Sequence, residues 1–140
     1  MRLGVLDVGS NTIHLQVMDA HLGARPEPAT SFKVELRLTE HLDAAGSITP
    51  QGIDLLHQAV GDSVAHANEN QTDEILAFAT SAIRDAKNGP KIIQDINQRH
   101  QIDLQILTGD EEARMTFLAV RRWLGWSAGK LLMIDIGGGS

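Results

Sequence analysis

Residues 3–20 read LGVLDVGSNTIHLQVMDA, two apolar runs at 3–6 and 13–18 parted by a turn that carries Asp7, Gly9, Ser10, Asn11 and Thr12. Each run suits a short buried strand, and the polar residues between them predict a hairpin. HLGARPEPAT at 21–30 supplies the next loop. From there Phe32, Val34, Leu36 and Leu38 alternate with Lys33, Glu35, Arg37 and Thr39, which is the period of a third, half-exposed strand.

Downstream the period changes. Thr49 is a good helix cap and Pro50 a good first helical residue, and a helix over 50–68 places Ile53, Leu56, Val60, Val64 and Ala67 on one stripe. A short buried strand is predicted at 75–79, followed by a polar segment that ends in the Gly89-Pro90 breaker. Then come a helix over 90–100 with Ile92, Ile93 and Ile96 inward, a fifth strand within 103–109, and a helix over 110–126. That last helix puts Met115, Leu118, Ala119 and Arg122 on one side, with Phe117, Val120 and Leu124 extending the apolar surface. Trp123 and Trp126 are expected to pack in the core or against a further domain. A final apolar run at 131–136 is predicted as a strand. Three consecutive strands followed by alternating helices and strands imply an α/β domain with a mixed five-stranded sheet, antiparallel first and then parallel, covered by helices.

Composition bounds the function. With 140 residues and 42% hydrophobic content, one domain can build its own core. The chain has no cysteine, so neither disulfides nor a thiolate metal site enter. No apolar stretch nears the ~20 residues of a membrane span and the start lacks an export pattern, so a cytoplasmic location without membrane contact is expected. A net charge of -6 argues against generic nucleic-acid binding, and an anionic ligand would need a local set of donors. The six histidines lack zinc-type spacing, and only His14, beside the first turn, is of interest. Lys33 and Arg37 could line an anion path or simply form a charged solvent face. Neither a G-x-x-x-x-G-K-[ST] nor a G-x-G-x-x-G motif is present.

The end of the chain, KLLMIDIGGGS at 130–140, repeats the opening pattern of apolar run, aspartate and glycine turn. Because such turns connect elements, this ending predicts a truncated protein: one domain over 1–128 and the opening strand and turn of a second over 129–140. Either turn alone reads as ordinary strand-ending geometry. Together they suggest two jaws on a phosphate, with Gly9, Ser10, Asn11 and Thr12 on one side and Gly137, Gly138, Gly139 and Ser140 on the other. Asp7 and Asp135 would then organise Mg²⁺ or another divalent cation, since a carboxylate beside a phosphate otherwise repels it.

Four segments in order, DVGSNTIHL (7–15), ATSAIRDAKNG (79–89), ILTGDEEAR (106–114) and LLMIDIGGGS (131–140), resemble the motifs of the exopolyphosphatase and guanosine pentaphosphate phosphohydrolase family. That family lies within the actin-like, ribonuclease H-like ATPase superfamily. The resemblance implies a ribonuclease H-like (actin-like ATPase) domain and an active site in a cleft between two such domains. It further implies a hydrolase that releases terminal phosphate from inorganic polyphosphate or guanosine pentaphosphate. By the same resemblance Glu112 activates the attacking water and Arg84 binds the phosphate under attack. The residues agree with those roles. Thr108 and Glu111 have capping-box spacing, which occupies Glu111, while Glu112 points ~100° away and is free. An arginine just after a buried strand suits bidentate phosphate contact, although Asp85 offers Arg84 an ordinary ion pair. An actin-like ATPase or kinase, and a non-catalytic sensor of guanosine polyphosphates or polyphosphate, are the alternatives. The resemblance leaves room for a homodimer of the full-length protein. The 140-residue piece itself is expected to fold and to be inactive.

Overall fold

The computed structural model describes residues 1–23 and 27–135, apart from the side chain of Trp126. Strand β1 (Arg2–Val8) pairs antiparallel with β2 (Thr12–Asp19), and β2 pairs antiparallel with β3 (Glu27–Glu35). On its other edge β1 runs parallel to β4 (Glu74–Ala79), which runs parallel to β5 (Leu104–Ile106), so the sheet order is β3-β2-β1-β4-β5. This is the mixed five-stranded sheet the strand and helix order predicts. Helix α1 (Pro50–Glu69) makes the crossover from β3 to β4, and α2 (Ser81–Arg84) with α3 (Gly89–His100) makes the crossover from β4 to β5. Helix α4 (Gly109–Leu124) follows β5. No helix among the described residues is long and apolar enough to cross a membrane.

Strand periodicity decides which face is filled. Leu6 and Val8 lie beside Ala77 and Ala79 in the β1–β4 register, and all four are buried together with Ile13, Leu15 and Val17 of β2. Onto this face α1 brings Leu56, Ala59, Val60 and Ala67, and α3 brings Ile92 and Ile96. Ile93 is only half-buried. Thr49 caps α1 as its sequence predicts, its side chain accepting from the Gly52 N–H while Pro50 occupies the first helical position. The opposite face of β1 carries Val5 and Asp7, next to Leu76 and Phe78 of β4, and it is far less covered.

Three expectations are corrected. The third strand ends at Glu35, because Arg37 adopts a left-handed conformation (φ 48°, ψ 52°) that turns the chain into a single 3-10 turn at Leu38–His41. Leu36 and Leu38 remain buried, so the alternation reports burial but not strand geometry over its whole length. The polar segment after β4 contains the one-turn helix α2, which has no periodic apolar signal of its own. Residues 131–135 form no strand. An apolar run becomes a strand only when a neighbouring edge supplies the hydrogen-bonding ladder, and these residues pair with none among the described strands. Position 136 and the turn expected at Gly137, Gly138, Gly139 and Ser140 lie outside the described residues. Helix α4 buries none of its described side chains, and Trp123 is 76% exposed, which leaves, of its two expected places, the one against a further domain.

Candidate active site

The C-terminal ends of the parallel strands β1, β4 and β5 lie side by side, which is where open α/β sheets place ligands. On the less covered face, Asp7 from β1, Phe78 and Thr80 from the end of β4, and Leu107 after β5 line a cavity of about 450 Å³. Helix α4 supplies the facing wall with Glu112, Met115, Thr116 and Ala119, and Asp135 lines the same cavity. The two aspartates that are 128 residues apart in the chain, Asp7 and Asp135, therefore share one cavity with Glu112.

The loop between β1 and β2 is shaped by its hydrogen bonds. The Gly9 N–H donates to the Thr12 carbonyl (3.0 Å), and a Cβ at Gly9 would come within 3.2 Å of that same oxygen, so a side chain here would crowd the turn. The carbonyls of Ser10 and Asn11 are turned toward the segment after β3. Asn11 accepts from the Leu36 and Arg37 N–H groups (2.8 and 3.0 Å), and Ser10 accepts from the Leu38 N–H (2.8 Å). Among the described residues the Ser10 and Asn11 N–H groups donate to no protein acceptor. A loop whose carbonyls are tied back and whose amides are left over is suited to an anion. The Ser10 hydroxyl, expected as a further phosphate donor, is instead buried and hydrogen-bonded to the Ser81 hydroxyl at 3.0 Å. Asn11 is exposed, and Thr12 already belongs to β2 opposite Glu35.

The start of α4 is arranged as its sequence predicts. The Thr108 hydroxyl accepts from the Glu111 N–H (3.2 Å), while the Glu111 carboxylate accepts from the Thr108 N–H (2.9 Å) and hydroxyl (2.8 Å). These bonds hold the Glu111 carboxyl below its ordinary pKa, the backbone bond contributing most. Glu112 points elsewhere and meets Arg84, whose Nη1 lies 3.3 Å from Glu112 Oε2. The same nitrogen donates to the Leu107 carbonyl (3.1 Å), and Arg84 Nε donates to Asp85 (3.2 Å). Both residues to which the resemblance assigns chemistry, 28 positions apart, are thus in contact, and Glu112 lines the cavity.

Asp7 feels this crowding. Burial pushes its carboxyl pKa up, the negative charge of Glu112 adds to that, and His14, directly opposite in the β1–β2 register, works against it. A cation in the cavity would relieve the penalty. Among the described residues no three histidine, aspartate or glutamate side chains gather closely enough to form a metal cage. That donor set nevertheless suits Mg²⁺, which takes one or two carboxylates and completes its shell with water and phosphate oxygens. Arg37, exposed, is paired with Glu35 (2.7 Å) and Glu40 (3.6 Å), and Lys33 is exposed on β3. Neither lines the cavity.

Thr80 and Ser81 escaped the sequence reading. Segment 79–89 was legible for its arginine, but the two hydroxyls before it sit at the end of a parallel strand, where Thr80 lines the cavity and Ser81 meets Ser10. Their position just past a buried strand was the available signal.

The sequence profile described as the Ppx/GppA phosphatase family matches residues 17–140. Exopolyphosphatase 1 of Mycobacterium tuberculosis is 51% identical over 140 residues, which is 100% of this chain and 41% of that protein. Guanosine-5'-triphosphate,3'-diphosphate pyrophosphatase of Vibrio parahaemolyticus is 26% identical over 135 residues, 96% of this chain and 27% of that protein. Among solved structures, an exopolyphosphatase from Cytophaga hutchinsonii superposes with a TM-score of 0.80 at 28% identity, over 87% of this chain and 39% of that one. The chain spans about two fifths of the length of such relatives.

Proposed function

The chain belongs to the Ppx/GppA phosphatase family, and from that premise we propose that it is the amino-terminal part of a hydrolase releasing terminal phosphate from inorganic polyphosphate. Guanosine pentaphosphate is the second candidate substrate, because one relative is named for a guanosine pentaphosphate activity. Polyphosphate is favoured because the relatives at 51% identity bear the exopolyphosphatase name. The observation that carries the reading is the contact of Arg84 with Glu112, which shares one cavity at the strand ends with Asp7.

The roles follow from the chemistry. Glu112 would take the proton of a water aligned with the terminal phosphorus, and Arg84, now held by Glu112 and the Leu107 carbonyl, would move its charge onto the phosphate oxygens. The free amides of Ser10 and Asn11 would hold further oxygens, and Gly137, Gly138, Gly139 and Ser140 would close from the second turn. Asp7 and Asp135 would hold a divalent cation, which would supply charge neutralisation at the phosphate. A domain spanning about two fifths of its relatives' length carries only part of such a cleft, so the isolated 140-residue chain folds and does not turn over.

The test is phosphate release by the full-length protein from both substrates, with and without Mg²⁺. Glu112→Gln preserves shape and removes the base, and should lower the rate by about 10²-fold or more. Unchanged turnover by that variant would refute the assignment. Binding of either substrate without release would indicate a sensor, and turnover of ATP in place of both would indicate an ATPase.

A further inference from the structure

We propose that Ser81 is a positioning residue of this site: its hydroxyl, bonded to that of Ser10, locks the anion-facing loop 9–12 to the helix that carries Arg84. The proposal rests on the phosphohydrolase reading above for its catalytic consequence, and on geometry alone for the coupling.

Ser10 and Ser81 are 71 residues apart, and their hydroxyl oxygens meet at 3.0 Å with both residues buried. Helix α2 is four residues long, a single turn that cannot hold itself in place by its own hydrogen bonds. Its anchors are the Thr80 N–H donating to the Val8 carbonyl (3.2 Å), the burial of Ile83, and the Ser10–Ser81 bond. Arg84 lies three residues beyond Ser81, and its N–H donates to the Thr80 carbonyl (3.1 Å). The place of the Arg84 backbone relative to the Ser10 and Asn11 amides is therefore set at the α2 start, and the guanidinium is held from there by the Leu107 carbonyl and Glu112. The loop's carbonyls are committed on the other side, to the N–H groups of residues 36–38. The Ser10 side chain is what ties the loop toward α2. Removing either hydroxyl leaves the other buried without that partner, which loosens both anion-facing elements at once. A site that stabilises charge by fixed donors needs them held to within about half an ångström, and this bond spans the two groups that must agree.

The experiment compares Ser81→Ala, Ser10→Ala, their double variant and Ser63→Ala in the full-length protein. Ser63 is a fully buried serine whose hydroxyl donates to the Ala59 carbonyl within α1, so Ser63→Ala measures the cost of losing a buried hydroxyl away from the cavity. Phosphate release should show kcat about tenfold lower for Ser81→Ala with KM changed much less, kcat unchanged for Ser63→Ala, and a double variant no slower than the slower single one. Amide hydrogen exchange should accelerate both at the N–H groups bonded to loop carbonyls, Gly9 and Leu36 to Leu38, and at Arg84 and Asp85 of α2 for Ser81→Ala, and at neither set for Ser63→Ala. Equal kcat for Ser81→Ala and Ser63→Ala, or strictly additive losses for Ser10 and Ser81, overturns the proposal. If the wild-type protein releases phosphate from neither substrate, the function reading fails separately. Exchange then decides for Ser81: acceleration reaching the loop upholds the coupling, and acceleration confined to α2 overturns it.

Discussion

Gly89→Ala should destabilise the domain sharply, because the missing Cβ is replaced by backbone. A Cβ built there lies 2.1 Å from the Ile83 carbonyl oxygen, about 0.9 Å inside the 3.0 Å limit that real Cβ atoms respect. The obstacle cannot rotate away. Ile83 is fully buried in α2, so the added atom must push α2 and α3 apart by nearly an ångström. Overpacking of this kind costs about 1–3 kcal/mol, and a rigid backbone obstacle puts it near ~3 kcal/mol. The better helix propensity of alanine offsets at most ~1 kcal/mol. A net loss of about 2 kcal/mol is a large share of a stability on the order of 10 kcal/mol, and lowers the thermal midpoint of a 140-residue chain by roughly 8 °C. Circular dichroism melting of the variant measures it. Gly109→Ala is the control, since among the described residues nothing lies within 4 Å of a Cβ there, and its midpoint should stay level or rise slightly. A Gly89→Ala midpoint within about 2 °C of wild type would show that the α2–α3 junction is not as tight as drawn. Because α2 carries Arg84, the same variant of the full-length protein should also release phosphate more slowly.

His57 Nδ1 and His100 Nε2 lie 3.1 Å apart between α1 and α3, and burial, the largest cause, holds both pKa values below the ordinary histidine value. The unfolded chain therefore binds more protons in acid, so the stability they contribute is complete above pH ~6.5 and is lost as pH falls through their folded values. Denaturant midpoints between pH 7.5 and 5 should fall, and His100→Gln should flatten that slope; parallel slopes would refute the assignment. Thr108→Ala removes the α4 cap and should cost about 1 kcal/mol at pH 7. The Thr108 hydroxyl adds to the backbone N–H in holding the Glu111 carboxyl below its ordinary pKa, so the hydroxyl's share of the loss should shrink as pH falls through that lowered value, which melting across pH 7 to 3 will show. Removing divalent cations with a chelator should abolish phosphate release by the full-length protein and readdition of Mg²⁺ should restore it; release that survives chelation would remove Asp7 and Asp135 from a metal role.

The hairpin, the capped helix from Pro50 and the capping box at Thr108 were all legible, because each depends on residues within a few positions of one another. The family resemblance was legible for a similar reason, as four motifs in order. Harder to read were features that depend on what a segment packs against. The left-handed Arg37 ended a strand that alternation had carried on to Leu38. Residues 131–135 had a strand's composition but no ladder to join. Helix α4 had an apolar surface, and nothing among the described residues covers it.

The sequence by itself determined the order of the five strands with α1, α3 and α4, the local caps, and, for Arg84 and Glu112 through the family resemblance and for Asp7 through its turn, the residues to watch. Only the tertiary structure decided that Arg84 reaches Glu112, that Asp135 enters the cavity of Asp7, and that the Ser10 hydroxyl turns inward to Ser81. Those pairings join positions 28 to 128 residues apart. No local rule predicts them, because they are fixed by how β1 and β4 align in register and by which face of the sheet the core fills first.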